Sequence, residues 1–213
     1  MQKVYAPILK FLMVIALVIG GSFGLTSQAA AAEETAIFAG GCFWCVESDF
    51  DNVSGVVKTT SGYIGGETPN PTYQTVSAGG SGYLEAVEII FNPDKVTYAE
   101  LLDIFWRSVD PTDDGGQFCD RGESYKTAIF ATSDAQLSTA ENSKAALDAG
   151  ELLNAPVVTP IRSATTFYPA EEYHQNYAEK SSWKYKFYRF NCGRDAKVDE
   201  LWGDQARRGI MEH

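Results

Sequence analysis

The hydrophobic pattern of the chain alternates between short apolar runs, typical of buried strands, and segments with an apolar residue every third or fourth position, typical of helices. Glycine and polar turn residues separate these segments. Four runs predict strands: 35–39, 56–64, 83–91 and 125–131. The segment 157–166 is also predicted to be extended.

Three helices are predicted between these strands. The first follows the glycine pair before Cys42, with apolar residues at helical spacing: Phe43, Val46, Phe50 and Val53. The second covers 98–108 and starts at the capping box of Thr97 and Glu100. The third starts at Ser133 with Gln136, and Gly150 can end it. Strands that alternate with helices in this way indicate an α/β or α+β sandwich, with helices packed on a sheet.

The remaining segments are polar or rich in turn residues. Loops are predicted over 65–71 and 110–122. From residue 180 onward, aromatic residues are mixed with Lys184, Lys186 and Arg189, which suits either a packed or a mobile tail. No repeat or linker divides 33–213, so a single domain is predicted there.

The first 32 residues have the pattern of a secretory signal peptide. Lys3 and Lys10 precede the apolar run 11–19, and small residues at 27–32 suit cleavage by signal peptidase. A membrane anchor is the alternative, but the run is shorter than the roughly 20 apolar residues that span a bilayer. A periplasmic or secreted protein, without stable membrane insertion after cleavage, is therefore expected.

Composition and charge narrow the possible partners. With 45% hydrophobic and 21% charged residues, the chain is neither disordered, collagen-like nor a coiled coil. Loss of Lys3 and Lys10 on cleavage would move the net charge from −11 to −13. Binding to a phosphate backbone needs Lys and Arg to replace condensed counterions, so nucleic acid is not an expected partner. The protein is expected to be a monomer.

All four cysteines, Cys42, Cys45, Cys119 and Cys192, follow the predicted cleavage site. In an oxidising compartment they could form two structural disulfides, and sequence alone cannot choose among the three pairings. A chain of this size does not need disulfides to fold, so the cysteines are also candidates for chemistry.

Cys42 is the strongest candidate nucleophile. It follows a glycine turn at a helix N-terminus, where free N–H groups and the helix dipole are expected to lower the pKa of a thiol. The alternatives are a small buried hydrophobe or half of a structural disulfide. Cys45, one helical turn later, could resolve an oxidised Cys42. Zinc is a poor fit because Cys119 and Cys192 are separate in sequence, so no metal is expected.

Glu85 is the second informative residue. Strand alternation places it on the same face as four apolar residues: Tyr83, Val87, Ile89 and Phe91. Burial there would raise its pKa and provide a general acid near neutral pH. The alternative is that Glu85 reaches solvent at the rim of the sheet.

His174 is the only histidine besides His213, and it lacks the neighbours that a metal site needs.

Several sequence blocks resemble the peptide-methionine (S)-S-oxide reductases, the A-type methionine sulfoxide reductases. The main block is Gly40-Gly41-Cys42-Phe43-Trp44. The others, in the order of the family, are Gly62-Tyr63-Ile64-Gly65-Gly66, Pro69-Asn70-Pro71-Thr72-Tyr73, Glu85-Ala86-Val87, Asp110-Pro111-Thr112 and Phe167-Tyr168-Pro169-Ala170-Glu171-Glu172-Tyr173-His174-Gln175. The resemblance covers nearly all of the predicted mature chain, from about residue 35 to residue 177.

The resemblance implies a fold, a reaction and a set of site residues. The fold would be a two-layer α/β domain around a mixed sheet, with a ferredoxin-like core and a long C-terminal extension. Cys42 would attack the sulfoxide sulfur and form a sulfenic acid, and an intramolecular disulfide would follow. The implied roles of the other residues are proton donation by Glu85, hydrogen bonds to the oxygen from Tyr73 and Tyr125, a methyl pocket of Phe43 and Trp44, ordering of the site by Asp120, and a place for His174 beside it.

The chain departs from the family pattern at three places. It has Gly82-Tyr83-Leu84-Glu85 where many members have Gly-His-Ala-Glu, and Gly122-Glu123-Ser124-Tyr125 in place of Gly-Thr-Gln-Tyr. The glycine- and cysteine-rich tail of some members is replaced by Asn191-Cys192-Gly193-Arg194. The resolving thiol is therefore open: Cys192 is favoured for recycling, Cys45 comes next, and Cys119 is a third candidate.

The expected function is repair of methionine sulfoxide, free or in oxidised proteins, with no cofactor and with a thioredoxin-like thiol reductant. Two other functions compete with it. A thiol-disulfide oxidoreductase using Cys42 and Cys45 would not need Glu85. A non-catalytic binding domain held by two disulfides would have all four thiols oxidised.

Overall fold

The computed structural model describes residues 1–3, 32–150 and 152–211, so the predicted signal peptide lies almost entirely outside the described residues. Six strands form a mixed sheet in the order β7-β6-β1-β3-β2-β8, and β4 and β5 form a separate hairpin. The strands are β1 (Glu34–Gly40), β2 (Val56–Ile64), β3 (Leu84–Phe91), β4 (Gly116–Gln117), β5 (Asp120–Arg121), β6 (Thr127–Ala131), β7 (Ile161–Ser163) and β8 (Tyr168–Pro169).

The helices lie between the strands and in the C-terminal segment. They are α1 (Phe43–Asp51), α2 (Tyr73–Ser77), α3 (Tyr98–Trp106), α4 (Asp134–Ala149), α5 (Tyr177–Lys180), α6 (Ser182–Cys192) and α7 (Arg194–Trp202), with 3-10 turns at Glu123–Tyr125 and Gly203–Gln205. No helix among the described residues is long and apolar enough to cross a bilayer.

The centre of the sheet has the ferredoxin-like topology. Strands β1, β2, β3 and β6, with α1 and α3 between them, give the order β6-β1-β3-β2, and each neighbouring pair is antiparallel. Among the strands that the structure describes, β7 alone pairs in parallel, with β6. The predicted mixed-sheet α/β fold is therefore confirmed.

The two faces of the sheet bury different sets of residues because successive side chains of a strand point to opposite sides. One face packs under the helices, and its core includes Phe38, Val46, Val87, Leu101 and Trp202. The other face buries Ile37, Ile64, Leu84, Ala86 and Phe130 beneath the segment that contains Ala164 and Phe167. Glu85 lies in β3 on the helix-covered side, as alternation predicts.

Helix boundaries follow the capping signals of the sequence. The Thr97 side chain accepts from the N–H of Glu100 and completes the predicted capping box of α3. Ser133 caps α4, which ends at Gly150. Each of these caps satisfies donors that a helix N-terminus leaves unpaired.

Four predictions of local structure were wrong or incomplete. The loop predicted over 110–122 contains the hairpin of β4 and β5. Helix α2 was not predicted, because it is one turn long and follows a loop rich in turn residues. Tyr125 lies in a 3-10 turn and not in the strand, which begins at Thr127. The tail after residue 180, for which the sequence left the packing open, is packed: α6 and α7 bury Tyr185, Val198 and Trp202 against the domain.

Candidate active site

The residues selected from the sequence come together around one small cavity of about 60 Å³. It lies beneath the N-terminus of α1 and beside β3. Its lining residues are Cys42, Phe43, Trp44, Tyr73, Glu85, Asp120, Tyr125 and Tyr188. All seven candidates for catalysis and substrate binding are therefore in this cavity, and Tyr188 is added to them.

A glycine turn sets the position of Cys42. Gly41 has a φ of +85°, and a Cβ atom there would lie 2.6 Å from Cβ of Gln117, so both the backbone and the space favour glycine. Cys42 is the N-cap of α1, and its carbonyl accepts the N–H groups of Cys45 and Val46. The thiol is buried, with 6% of the residue exposed.

Glu85 is a buried acid held against the same helix end. It is 2% exposed, and its Oε2 accepts the backbone N–H of Phe43 at 3.0 Å. Burial raises the pKa of Glu85 to about 8, despite the opposing hydrogen bond from Phe43. The 2% exposure confirms the predicted buried position and rules out a solvent-exposed one at the rim. The carboxyl is mostly protonated at neutral pH.

The expected effect of the helix N-terminus on Cys42 was wrong. Burial raises the pKa of the Cys42 thiol well above its usual value, and the hydrogen bond to Cys45 and the negative charge of Cys45 and Glu85 add to this. One of the N–H groups at the helix start, that of Phe43, is donated to Glu85 and not to the thiol. The pKa of Cys45 is lowered, chiefly because it accepts the hydrogen bond from Cys42.

Two tyrosine hydroxyls face the acid. Tyr73 and Tyr125 lie within hydrogen-bonding reach of each other, and burial raises the pKa of both phenols. The N–H of Tyr73 is donated to Oε1 of Glu171 at 2.9 Å, and the hydroxyl of Tyr63 is donated to Oε2 of the same carboxylate at 2.8 Å. Glu171 therefore fixes the start of α2, and with it Tyr73.

The aromatic wall of the cavity depends on His174. The indole Nε1–H of Trp44 is donated to Nδ1 of His174 at 3.0 Å, and the Phe43 ring lies 4.9 Å from the imidazole. Trp44 stacks on Tyr177 with ring centroids 3.8 Å apart. His174 is buried, and burial lowers its pKa, so it is a neutral acceptor that orients Trp44.

Asp120 and Tyr188 close the cavity on the side of the C-terminal segment. The Tyr188 hydroxyl donates a short hydrogen bond to Oδ2 of Asp120 and also lies within hydrogen-bonding reach of Cys42. Tyr188 was not among the sequence candidates. The sequence signal that could have identified it is the helical spacing of Tyr185, Tyr188 and Cys192. The packing of this tail was left open by the sequence.

The structure pairs the cysteines in one way. Cys119 and Cys192 form a disulfide, whereas Cys42 and Cys45 are free and buried. The alternative of two structural disulfides is therefore wrong for this state. The two distant cysteines also meet Asp120, with ligand atoms of all three within 4.8 Å of one another, so their separation in sequence was a misleading argument against metal. Both sulfurs are already bonded to each other here.

Comparison with known proteins agrees with this geometry. The profile described as peptide methionine sulfoxide reductase matches residues 34–206. The chain belongs to the peptide methionine sulfoxide reductase family. It is 49% identical to peptide methionine sulfoxide reductase MsrA 2 of Rhizobium meliloti, over 88% of this chain and 93% of that protein. It is 51% identical to MsrA 2 of Caulobacter vibrioides, over 84% of this chain and 92% of that protein.

A solved structure agrees with the sequence comparisons. Reduced Mxr1 of Saccharomyces cerevisiae matches with a TM-score of 0.65 at 30% identity, over 73% of this chain and 91% of that one. Family membership makes this chain a thiol-dependent oxidoreductase that reduces methionine sulfoxide. The alternatives of a disulfide oxidoreductase and a binding domain are not favoured.

Proposed function

We propose that this reductase acts on the S epimer of methionine sulfoxide, free or in oxidised proteins, with Cys42 as nucleophile and Glu85 as general acid. The observation that carries the proposal is the neutral, buried carboxyl of Glu85 in the same 60 Å³ cavity as the Cys42 thiol. A protonated acid beside a sulfur nucleophile is what reduction of a sulfoxide requires.

In the first step Cys42 Sγ attacks the sulfoxide sulfur while Glu85 protonates the oxygen. The attack forms a bond between Cys42 Sγ and the substrate sulfur. That bond and the sulfur–oxygen bond of the substrate then break as the hydroxyl is transferred to Cys42 Sγ, which releases methionine and leaves Cys42 as a sulfenic acid. The thiol proton of Cys42 replaces the proton that Glu85 gave away. Tyr73 and Tyr125 donate hydrogen bonds to the oxygen as negative charge develops on it.

The aromatic residues recognise the apolar part of the substrate. Phe43 and Trp44 line the cavity, and the bond to His174 fixes the indole plane. A methyl group can occupy the space between these rings while the oxygen faces the hydroxyls. Opposite apolar and polar walls distinguish the two epimers, because exchanging oxygen and methyl would place an unpaired oxygen against the aromatic wall.

For the second step we propose that Cys45 resolves the sulfenic acid. Its sulfur accepts the hydrogen bond of Cys42, whereas Cys192 is bonded to Cys119 beyond the Asp120–Tyr188 pair. Cys45 attacks Cys42 Sγ, the S–S bond forms, and the hydroxide leaves as water after taking a proton. Once an external dithiol has reduced Cys119 and Cys192, the Cys192 thiol attacks the Cys42–Cys45 disulfide and Cys119 displaces the mixed disulfide, which leaves Cys42 and Cys45 reduced and Cys192 joined to Cys119.

The described state supports this sequence, since it has the distribution of thiols and disulfide that the exchange produces. Cys119 is exposed and Cys192 is half-buried, so an external dithiol can reach their disulfide more easily than the buried pair in α1. A thioredoxin-like protein is the proposed donor.

Because the pattern of residues 1–32 favours export, we propose a periplasmic or secreted location. Fractionation, and N-terminal sequencing for cleavage after Ala32, test this proposal.

The deciding experiment for the activity uses separated S and R methionine sulfoxide with dithiothreitol as reductant. The wild-type protein should produce methionine from the S epimer alone, and Cys42→Ser should produce none while remaining folded. Cys119→Ser is a matched control, because it also removes a thiol but should keep turnover with dithiothreitol. Reduction of the R epimer, or turnover by Cys42→Ser, would contradict the proposal.

The resolving step is tested by peptide mapping after one equivalent of substrate and no reductant. The reduced protein should first show a Cys42–Cys45 disulfide and then a Cys119–Cys192 disulfide. In Cys45→Ser, methionine should still form once while the sulfenic acid persists long enough to be trapped with dimedone. Finding Cys192 free throughout turnover would exclude its recycling role.

A further inference from the structure

Two arginines of the C-terminal segment lie buried beneath α1. Arg189 of α6 is 9% exposed and Arg194 of α7 is 1% exposed. Buried guanidinium groups are costly unless they are paired, so their presence here needs a reason beyond packing. Neither residue lines the cavity that holds Cys42 and Glu85.

Both arginines face a carboxylate that lies one helical turn after Cys45. Asp49, four residues later on α1, is 1% exposed, and its Oδ1 accepts Nη1–H of Arg189 at 2.7 Å. Nε of Arg194 lies 3.9 Å from Oδ2 of Asp49. Without this pairing, a buried negative charge one turn away would oppose ionisation of Cys45.

The positive charge of Arg194 is only partly compensated. Its Nη1 and Nη2 donate to the carbonyls of Gly40 and Ser108 at 3.1 and 3.0 Å, and Nε has no hydrogen-bond partner among the described residues. These carbonyls are neutral acceptors, and Gly40 is part of the turn that leads into Cys42. The guanidinium thus lies under the cysteine-bearing end of α1.

Arg189 approaches the cysteines through a tyrosine. Its Nη1 donates to the Tyr185 hydroxyl at 2.8 Å, and Tyr185 packs in one buried cluster with Cys42 and Cys45. The other end of Arg189 is held by Asp195, which is half-exposed. Around the two thiols, the charged and titratable groups among the described residues include Asp49, Tyr73, Glu85, Asp120, Tyr185, Tyr188, Arg189, Arg194 and Asp195.

We propose that Arg189 and Arg194 are positioning residues that hold Cys45 as a thiolate, ready to attack the sulfenic acid on Cys42. This inference rests on the proposed resolving role of Cys45. The thiolate attacks Cys42 Sγ, an S–S bond forms, the S–O bond breaks, and the hydroxide leaves with a proton as water. The lowered pKa of Cys45, to which both arginines contribute after the hydrogen bond from Cys42, is consistent with this arrangement.

The test compares Arg194→Gln and Arg189→Gln with wild type in the full protein, with Cys119 and Cys192 left oxidised. Thiolate absorbance at 240 nm is titrated against pH, and dimedone trapping follows the sulfenic acid after one equivalent of S-methionine sulfoxide. Each Gln variant should raise the thiolate midpoint by about one pH unit, slow decay of the sulfenic acid about tenfold, and leave the first methionine formed at the wild-type rate. Arg189→Lys, which keeps the charge, should restore the wild-type midpoint.

Arg107→Gln is the matched control. Arg107 is also 9% exposed and ion-paired, but to Asp103 of α3, and it should leave both the midpoint and the decay unchanged. If a Gln variant does not fold, Asp49→Asn is the second variant. It removes the negative charge that opposes ionisation of Cys45, so it should lower the thiolate midpoint. An unchanged midpoint in folded Arg194→Gln, or a raised one in Asp49→Asn, would overturn the proposal. Failure of the proposed function is distinct: without the reductase activity wild type would form no methionine at all, and without the resolving role of Cys45 the sulfenic acid would decay as fast in Cys45→Ser as in wild type.

Discussion

The backbone N–H of Phe43 donates a 3.0 Å hydrogen bond to Oε2 of Glu85, which ties the buried acid to the first turn of the helix that begins after Cys42. The same bond removes the donor that would otherwise stabilise a Cys42 thiolate. It also leaves the second oxygen of Glu85 to carry the proton. One hydrogen bond therefore fixes the acid beside a thiol that has lost this donor. Burial outweighs the lowering effect of the bond on the pKa of Glu85 and keeps the acid protonated.

Glu85→Gln should lower kcat with S-methionine sulfoxide by about two orders of magnitude, since general acid catalysis contributes on this scale. The reason is that the amide keeps the shape and the acceptor for Phe43 but has no transferable proton. Steady-state turnover with dithiothreitol measures the effect. Glu88→Gln, on the same strand but the opposite face, is the control and should retain full activity.

The pH dependence of kcat/KM should follow the protonated form of Glu85. Its pKa is raised to about 8, so activity should hold through neutral pH and fall as the pH rises above 8. The descending limb is measured with S-methionine sulfoxide at constant ionic strength. A limb that persists unchanged in Glu85→Gln would assign it to another group.

Stability should also fall as the pH rises. A carboxyl whose pKa is higher in the folded than in the unfolded protein stabilises the fold while protonated, and this contribution is lost between its unfolded pKa and about 8. From pH 5 to pH 8, Glu85 alone should cost about 3 kcal/mol of unfolding free energy. Denaturant unfolding of wild type and Glu85→Gln checks this, because the variant should show a flatter profile.

His174 and Trp44 should act as a unit. His174→Phe removes the acceptor for the indole N–H and leaves a buried donor unpaired, at a cost of about 1–3 kcal/mol. It should raise KM for the sulfoxide through the misplaced indole. The coupling is measured by combining His174→Phe with Trp44→Phe. Additive effects in the double variant would show that the 3.0 Å hydrogen bond has no role in binding.

The disulfide should matter for protein donors and for stability. It closes a loop between residues separated by 73 positions, so Cys119→Ser with Cys192→Ser should lower the unfolding free energy by about 2–4 kcal/mol. Turnover with dithiothreitol should continue, while turnover with thioredoxin and its reductase should be largely lost. Equal loss with both reductants would instead indicate that the disulfide only supports the fold.

Much of the fold was predictable from local signals. The run 56–64 matches β2, and the Thr97 capping box and Ser133 mark helix starts that the structure confirms. The tail was harder, because Arg189 and Arg194 look solvated in sequence and are buried only through Asp49 and the carbonyls of Gly40 and Ser108. Those partners are distant along the chain.

The site shows the same limit. Glu85 was predictable because strand alternation reports which face a residue occupies, and its burial raises its pKa as expected. The direction of the pKa shift of Cys42 was not predictable, because a buried acid and a second thiol lie beside the helix start. Pairing of Cys119 with Cys192 likewise depends on α6 returning to the β4–β5 hairpin, which no local pattern encodes.

The arrangement of the four sulfurs has a consequence for damage by oxidants. The sulfurs nearest to solvent belong to Cys119 and Cys192, which have already given up their electrons to a mutual bond, whereas Cys42 and Cys45 lie behind Trp44, Tyr185 and Tyr188. A peroxide in solution therefore first meets a disulfide, which has no thiol left to oxidise. The two thiols needed for repair lie in the interior, where a sulfoxide that fits the cavity can reach Cys42.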